Sequence, residues 1–400
     1  MSCILHRSRQ SPLGLRPKKQ PIVAMAVLIL LSIGLCVIVG VGILLLVEDR
    51  IPKGTELLQI PDSRGMLQLS PTGNMMLFQR EDESGNRQVW VVDLLNGMER
   101  QMTFGRPHGR PCWSPDGEWI AYVRGRCDEI EDKGLYMTPL KGSSETLLRE
   151  GVVGGPNWGA GGIAYMAYSA TEGWSLCVVD VGEHSWRDPG SGYVIDRGTL
   201  WSPDGRWLLG CKEDCNGVRQ IVKTNVEDGE IVYMTTQVES NRINYRCWSP
   251  DGRWIAYVRT SGKRNSLCVT PVDGGVGDVV VLTVPLREYF LDIAWTPCST
   301  SIVYIKNVRG NHLVYRIGIH EKLPTVLGLG DSGIWCKADG GIVVSRWLRG
   351  KVQICLLSAD VGNRRSAVRH EIGLRVGRMW DCFLYIVRRV KERIIRLWIE

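Results

Sequence analysis

The string Gly330-Asp331-Ser332-Gly333 matches the residues around some serine nucleophiles, so it is a first place to look for chemistry in this sequence. A nucleophilic serine needs a histidine base within hydrogen-bond reach and a carboxylate to orient that base. The chain has six histidines, His6, His108, His184, His312, His320 and His370, and no spacing ties any of them to Ser332. The string also falls just before Trp335, a recurring position at which Gly and Asp are ordinary. No Gly-x-Ser-x-Gly elbow, His-Glu-x-x-His motif, phosphate-binding loop or Cys-x-x-Cys pair occurs. The reading is therefore of a non-enzyme, with no catalytic residue and no cofactor.

Metal chemistry is equally thin. Cys211 and Cys215 are the one close pair among 13 cysteines, and the spacing offers no further ligands beside them, so no metal site is assigned. The acidic stretches Glu-Asp-Glu-Ser from Glu81 and Asp-Glu-Ile-Glu-Asp from Asp128 carry the oxygen ligands a calcium ion wants, but solvated hairpin tips account for them. The cysteines also lack the clustered spacing of a small disulfide-stapled module. Cys177, Cys268 and Cys355 share one repeat position, where they read as small core residues.

The net charge of +7 has an uneven origin, because Arg7, Arg9, Arg16, Lys18 and Lys19 all precede the first acidic residue, Glu48. Beyond them the chain is close to neutral, which argues against a basic nucleic-acid-binding domain. Between that tail and Glu48 runs a 26-residue stretch without a charge, Ile22 to Val47. At about 1.5 Å per residue, a helix of that length spans a hydrocarbon core of about 30 Å. The stretch is longer than a signal-peptide core and no small-residue cleavage site follows it. Leu35 before Cys36 also fits a lipoprotein site poorly. The basic flank keeps the N-terminus in the cytoplasm and places the remainder outside. The expected organisation is a basic tail at 1–21, a signal-anchor helix at 22–47, a linker at 48–54 and one extracytoplasmic domain at 55–400.

Those outer residues repeat. Tryptophan recurs at Trp113, Trp158, Trp201, Trp248, Trp295, Trp335 and Trp380, with Leu69 in the equivalent place at the front. Successive gaps are 44, 45, 43, 47, 47, 40 and 45 residues. A second series of short apolar runs, from Val89 to Arg396, keeps the same count of eight units. Each unit is built of β-branched and aromatic runs broken by Gly, Pro, Asp and Asn, which reads as a small antiparallel sheet. Four-stranded sheets repeated at this period indicate an all-β fold, an eight-bladed β-propeller, with seven blades if the last compact unit is not a blade.

Three near-copies of one phrase mark the repeat: Trp-Ser-Pro-Asp-Gly begins at Trp113, Trp201 and Trp248. Proline suits the second position of a type I turn, and glycine suits a position needing positive φ. The phrase is thus expected to join the innermost strand to the second, with Trp wedged between blades. The eighth unit ends after three strands, and Thr55 to Ile60 is expected to supply its outer strand and close the ring.

This phrase, with the Ile-Ala-Tyr-Val run that follows it, resembles the WD-like repeat of TolB-type propellers, also seen in tricorn-type and dipeptidyl-peptidase-type proteins. The resemblance covers about residues 55–400. It departs from TolB in leaving no room for a separate α/β domain, and from the dipeptidyl-peptidase family in lacking a hydrolase domain after the propeller. What it implies is a propeller used for recognition, with catalysis not carried over.

In that strand order the loops between second and third strands share one face. Their net charges are −1, −1, −1 and 0 in units one to four, and +3, +2, +3 and +3 in units five to eight. The basic half defines a candidate binding surface of Arg259, Lys263, Arg264, Lys306, Arg309, Arg346, Trp347, Arg349, Lys351, Arg388 and Arg389. The expected partners are the membrane, through residues 22–47, and a protein or anionic polymer of the cell envelope, with no nucleic acid. The rival readings are a propeller-type hydrolase or lyase with polar groups converging on the central channel, and the sensing part of a receptor complex. The anchor carries the first prediction: alkaline carbonate leaves the full chain in the membrane fraction, and deleting residues 22–47 releases it to the supernatant. Release of the intact chain by carbonate would remove the transmembrane reading.

Overall fold

The second strand of a typical unit, Trp119–Arg124, is buried at four consecutive positions instead of alternate ones. A run of that kind belongs to a sheet covered on both faces. The computed structural model shows how the cover is supplied. It describes residues 54–358, apart from 62–66, 106–107, 126–132, 143, 153, 170, 172, 184, 192, 194–199, 214–218, 236–241, 274–278, 309 and 349–350. All lie within the compact unit spanning Ile51–Ala367.

The described residues form strands only, arranged as seven antiparallel four-stranded sheets. The inner strands, one per blade, are Gln68–Leu69, His108–Trp113, Asn157–Gly159, Leu200–Trp201, Arg242–Trp248, Phe290–Trp295 and Ser332–Cys336. Blades are numbered 1 to 7 in that order. Adjacent blades bury their faces against each other: Leu77 and Val91 of blade 1 meet Trp113 and Tyr122 of blade 2, for example. Cys177, Cys268 and Cys355 are indeed core residues, and the eight described cysteines are free thiols.

Ring closure corrects one expectation. Thr55–Pro61 does supply an outer strand, but it pairs antiparallel with Lys351–Leu357 of blade 7, and not with the eighth unit. Ile60, Val343, Val352 and Ile354 of that blade then pack against Met76, Phe78 and Val92 of blade 1. With that interface formed, the seven sheets make a closed ring, the alternative count raised by the sequence. The eighth unit, with Trp380, Arg388 and Arg389, and the apolar run Ile22 to Val47 fall outside the described residues.

The repeated phrase is the joint between first and second strands. In blade 2 the Gly117 N–H bonds the Ser114 carbonyl at 2.9 Å, closing the turn. Gly117, Gly205 and Gly252 have φ of +74°, +71° and +71° there, and blade 6 holds Ser299 at +58°. A side chain is strained at such an angle, which is why glycine recurs. The Ser Oγ accepts from the backbone N–H of Trp119, Trp207 and Trp254 at 2.9 Å in each copy. Each preceding Trp sends its indole N–H into the neighbouring blade, as Trp113 does to the Gln68 carbonyl at 3.2 Å and Trp201 to the Asn157 carbonyl at 3.0 Å.

Ile60 is fully buried at the closing interface, so Ile60→Ala removes side-chain volume from the one seam that joins the two ends of the ring. Leaving such a cavity costs about 2–5 kcal/mol. The expected result is a lower denaturation midpoint by about that equivalent, measured by urea unfolding. A loss below about 0.5 kcal/mol, the scale of surface changes, would show that the seam does not hold the ring.

Candidate functional site

Six of the seven blades carry a cation at the same place in the second strand: Arg80, Arg124, Lys212, Arg259, Lys306 and Arg346. The strand puts each at the mouth of the loop to the third strand, where Arg80, Arg124, Lys212 and Lys306 each lie against an aromatic ring, a carboxylate or both. Arg80 lies 5.1 Å from the Phe78 ring centre and 4.9 Å from that of Trp90, and makes a bidentate pair with Glu99 at 2.8 and 3.2 Å. Arg124 covers Tyr136 at 5.0 Å and pairs with Glu145, which also accepts the Tyr122 hydroxyl. Lys212 sits 4.6 Å over Tyr193. Cation and ring attract each other most where water is excluded.

This recurrence sorts the basic residues proposed from sequence. Lys306 is only 8% exposed, is paired with Glu288 at 3.1 Å and lies 5.1 Å from the Tyr315 ring, so it is not available to a partner. Its place in the surface is corrected on that ground: the loop glutamate and ring that the linear sequence did not join to it enclose it. Arg346 and Arg259 are half-buried, Arg346 beside the Cys355 thiol. Lys263, Arg264, Trp347 and Lys351 are exposed. Arg309, Arg349, Arg388 and Arg389 lie outside the described residues.

The exposed members are joined by residues that sequence reasoning missed. Tight 2.9 Å bonds carry the surface from blade 5 to blade 6: Leu286 N–H to the Lys263 carbonyl, and Asn307 N–H to the Tyr289 carbonyl. From there His312 Nδ1 meets Asp331 Oδ1 at 2.9 Å, and Asp331 accepts the Trp347 N–H in blade 7. Leu286, Tyr289, Trp347 and Leu348 stand 50%, 45%, 47% and 41% exposed along this path. Leu286 and Tyr289 sit on the connection from the fourth strand to the next blade, a segment the charge comparison between hairpin loops did not include. The available signal was two large apolar residues in a stretch that also holds Arg287 and Glu288.

The same bonds settle how the Gly330-Asp331-Ser332-Gly333 string is used. His312 binds Asp331, whereas Ser332 Oγ faces Ser345 Oγ at 3.2 Å. Nucleophile and base are therefore not bonded to each other, and Asp331 serves to tie blade 6 to blade 7. Among the described residues no three His, Cys, Asp or Glu side chains are grouped to hold a metal ion.

On the opposite face the turn carboxylates are held ionised. For Asp116 the Ser114 hydroxyl and the Glu118 N–H hold the carboxyl below the usual range. For Asp204 and Asp251 burial opposes the charge, but Ser202 or Ser249 and a turn N–H outweigh it. In blade 6 a thiol, Cys298, takes this position; the Thr296 and Thr300 hydroxyls bring it down to about 7.

The sequence pattern of the TolB beta propeller domain matches residues 110–334. A comparison with curated proteins gives no match. Among solved structures, an oligogalacturonate lyase in complex with manganese superposes with a TM-score of 0.60 at 13% identity, over 78% of this chain and 99% of that one. The oligogalacturonate lyase of Vibrio parahaemolyticus gives 0.59 at 14%, over 78% and 92%. A prolyl endopeptidase gives 0.52 at 11%, over 70% of this chain and 46% of that one. At these identities the likeness is one of fold.

The turn carboxylates carry a pH prediction. Their folded values lie below the unfolded value of about 3.9, so the stabilisation is present above about pH 4 and is lost as pH falls through the folded values. Replacing Ser114, Ser202 and Ser249 together by Ala removes the hydroxyl donors. The variant is expected to fall further below the parent in Tm at pH 6 than at pH 3. An equal difference at both pH values would show that the hydroxyls do not favour the charged form.

Proposed function

This chain belongs to the TolB-type β-propeller family, and we propose that its ring is a non-catalytic recognition module held at the outer face of a membrane by residues 22–47. The observation that carries this reading is the set of exposed residues on one face of blades 5 to 7, Leu286, Tyr289, Trp347 and Leu348 together with Lys263, Arg264 and Lys351. Large aromatic and aliphatic groups beside exposed positive charge form the composition of a protein interface: the apolar groups supply area to bury, and the charges steer an oppositely charged surface.

The partner is accordingly a protein of the cell envelope with an acidic rim around an apolar pocket. Trp347 is the anchor, because a rigid ring buries a large area at little entropic cost and such residues dominate interface energies. Lys263, Arg264 and Lys351 set the approach and its salt dependence.

Replacing Trp347 by a photo-crosslinking amino acid in the full membrane-inserted chain tests this surface. The expected outcome is a discrete protein adduct that falls at least tenfold when Lys263, Arg264 and Lys351 are changed to Glu. A crosslinker at Leu323, whose turn lies on the opposite face, is expected to give no such adduct. The same adducts from both positions, or adducts unaffected by charge reversal, would overturn the assignment.

A further inference from the structure

Blade 3 departs from the repeat at its inner joint. In blades 2, 4, 5 and 6 six residues separate the inner-strand Trp from its partner on the second strand, as in Trp113↔Ile120 and Trp248↔Ile255. In blade 3 the pair is Trp158↔Ile163, with four residues between. The shortened hairpin, flanked by the full turns of blades 2 and 4, lines a cavity of about 660 Å³. That volume falls in the range of about 300–1,000 Å³ typical of small-molecule sites.

The hairpin lines this space with Trp158 and Ala160 and is packed closely under Trp201. Cβ atoms added to Gly159 and Gly161 would come within 2.2 and 2.4 Å of the Trp201 ring, which lies across them. Trp158, which lines the cavity, also differs from the tryptophans of blades 2, 4, 5 and 6. Trp113, Trp201, Trp248 and Trp295 each donate the indole N–H to an inner-strand carbonyl of the preceding blade, at 3.0–3.3 Å. Among the described residues Trp158 makes no such bond.

Groups of both signs ring the cavity. Asp116 and Asp204 come from the two flanking turns, Asp180 and Arg187 from blade 3, and Arg206 and Glu227 from blade 4, so four carboxylates face two guanidinium groups. Each aspartate uses Oδ1 for its turn, bonding Ser114 or Ser202 at 2.5 Å, and takes no bond at Oδ2 among the described residues. Acceptors and donors therefore stand side by side, and an ion of either sign would meet a like charge. A hydroxyl both donates and accepts, so a neutral polyol satisfies both sets, and the apolar face of a sugar ring suits an indole.

We propose that this cavity binds a short neutral saccharide, with Asp116, Asp204 and Glu227 accepting from its hydroxyls, Arg187 and Arg206 donating to them, and Trp158 contacting a ring. The site lies on the turn face, away from the surface that Trp347 anchors, and does not depend on it.

Titrating the full detergent-extracted chain separately with cellotriose, chitotriose and maltotriose, followed by tryptophan fluorescence and saturation-transfer NMR, tests this. At least one is expected to bind with a millimolar or lower Kd. Arg187→Gln and Glu227→Gln, both at exposed positions, are each expected to weaken it at least fivefold with Tm unchanged. Trilysine and inorganic phosphate serve as ionic probes of each sign. Absence of binding by all three sugars, binding indifferent to both substitutions, or tighter binding of either ionic probe would overturn the proposal.

Discussion

Every blade of this protein is a sheet that cannot cover its own two faces. Ile120, Leu208, Ile255 and Ile302, the residues next to the repeated joint, have no exposed surface, and the cover comes from blades on either side. Burial of apolar area is the main force available to an all-β chain, and here it is realised only between neighbours. A row of such sheets leaves two uncovered ends, so the ring has to close. The strand Thr55–Pro61 closes it by joining a sheet whose other three strands come nearly 300 residues later, as in the pairing of Thr55 with Leu356.

The conspicuous features of the repeat serve that closure. The Ser hydroxyl, Asp carboxylate and positive-φ glycine build the turn that returns the chain, and the Trp before it bonds into the preceding blade. The cations at the end of the second strand similarly work inward, stacked on rings or paired with Glu99, Glu145 and Glu288. Residues whose chemistry is wholly taken up inside a blade are poor candidates for recognition, whereas Asp116 and Asp204 spend only Oδ1 on the turn. Departures from the repeat are better ones: the exposed Trp347 and Tyr289 on one face, and the short Trp158 hairpin on the other.

Trp113, Trp201 and Trp248 made the fold class and the inner joint legible, because the same local bonds recur wherever the same five residues recur. The phrase builds the same turn in each of its three copies. The candidate surface was legible only in part: Lys263, Arg264 and Lys351 are exposed as a hairpin charge should be, whereas Lys306 is enclosed by Glu288, a residue from a connection 18 positions earlier. No pattern in a single hairpin announces such a partner. Leu286 and Tyr289 were missed for the matching reason, since they belong to the surface through backbone bonds to Lys263 and Asn307 that cross between loops.

The sequence by itself determined what depends on short range: strand periodicity, turn chemistry, the spacing of the repeat and the uncharged run from Ile22 to Val47. It could count units but not choose the sheet that the N-terminal strand would join. That choice belongs to the tertiary structure, because edge strands of similar sheets offer the same backbone groups, and only the packing of Ile60, Val343 and Val352 against Met76 and Phe78 separates one partner from another. Exposure was decided in the same way, by which ring or carboxylate from elsewhere in the chain arrived beside each cation.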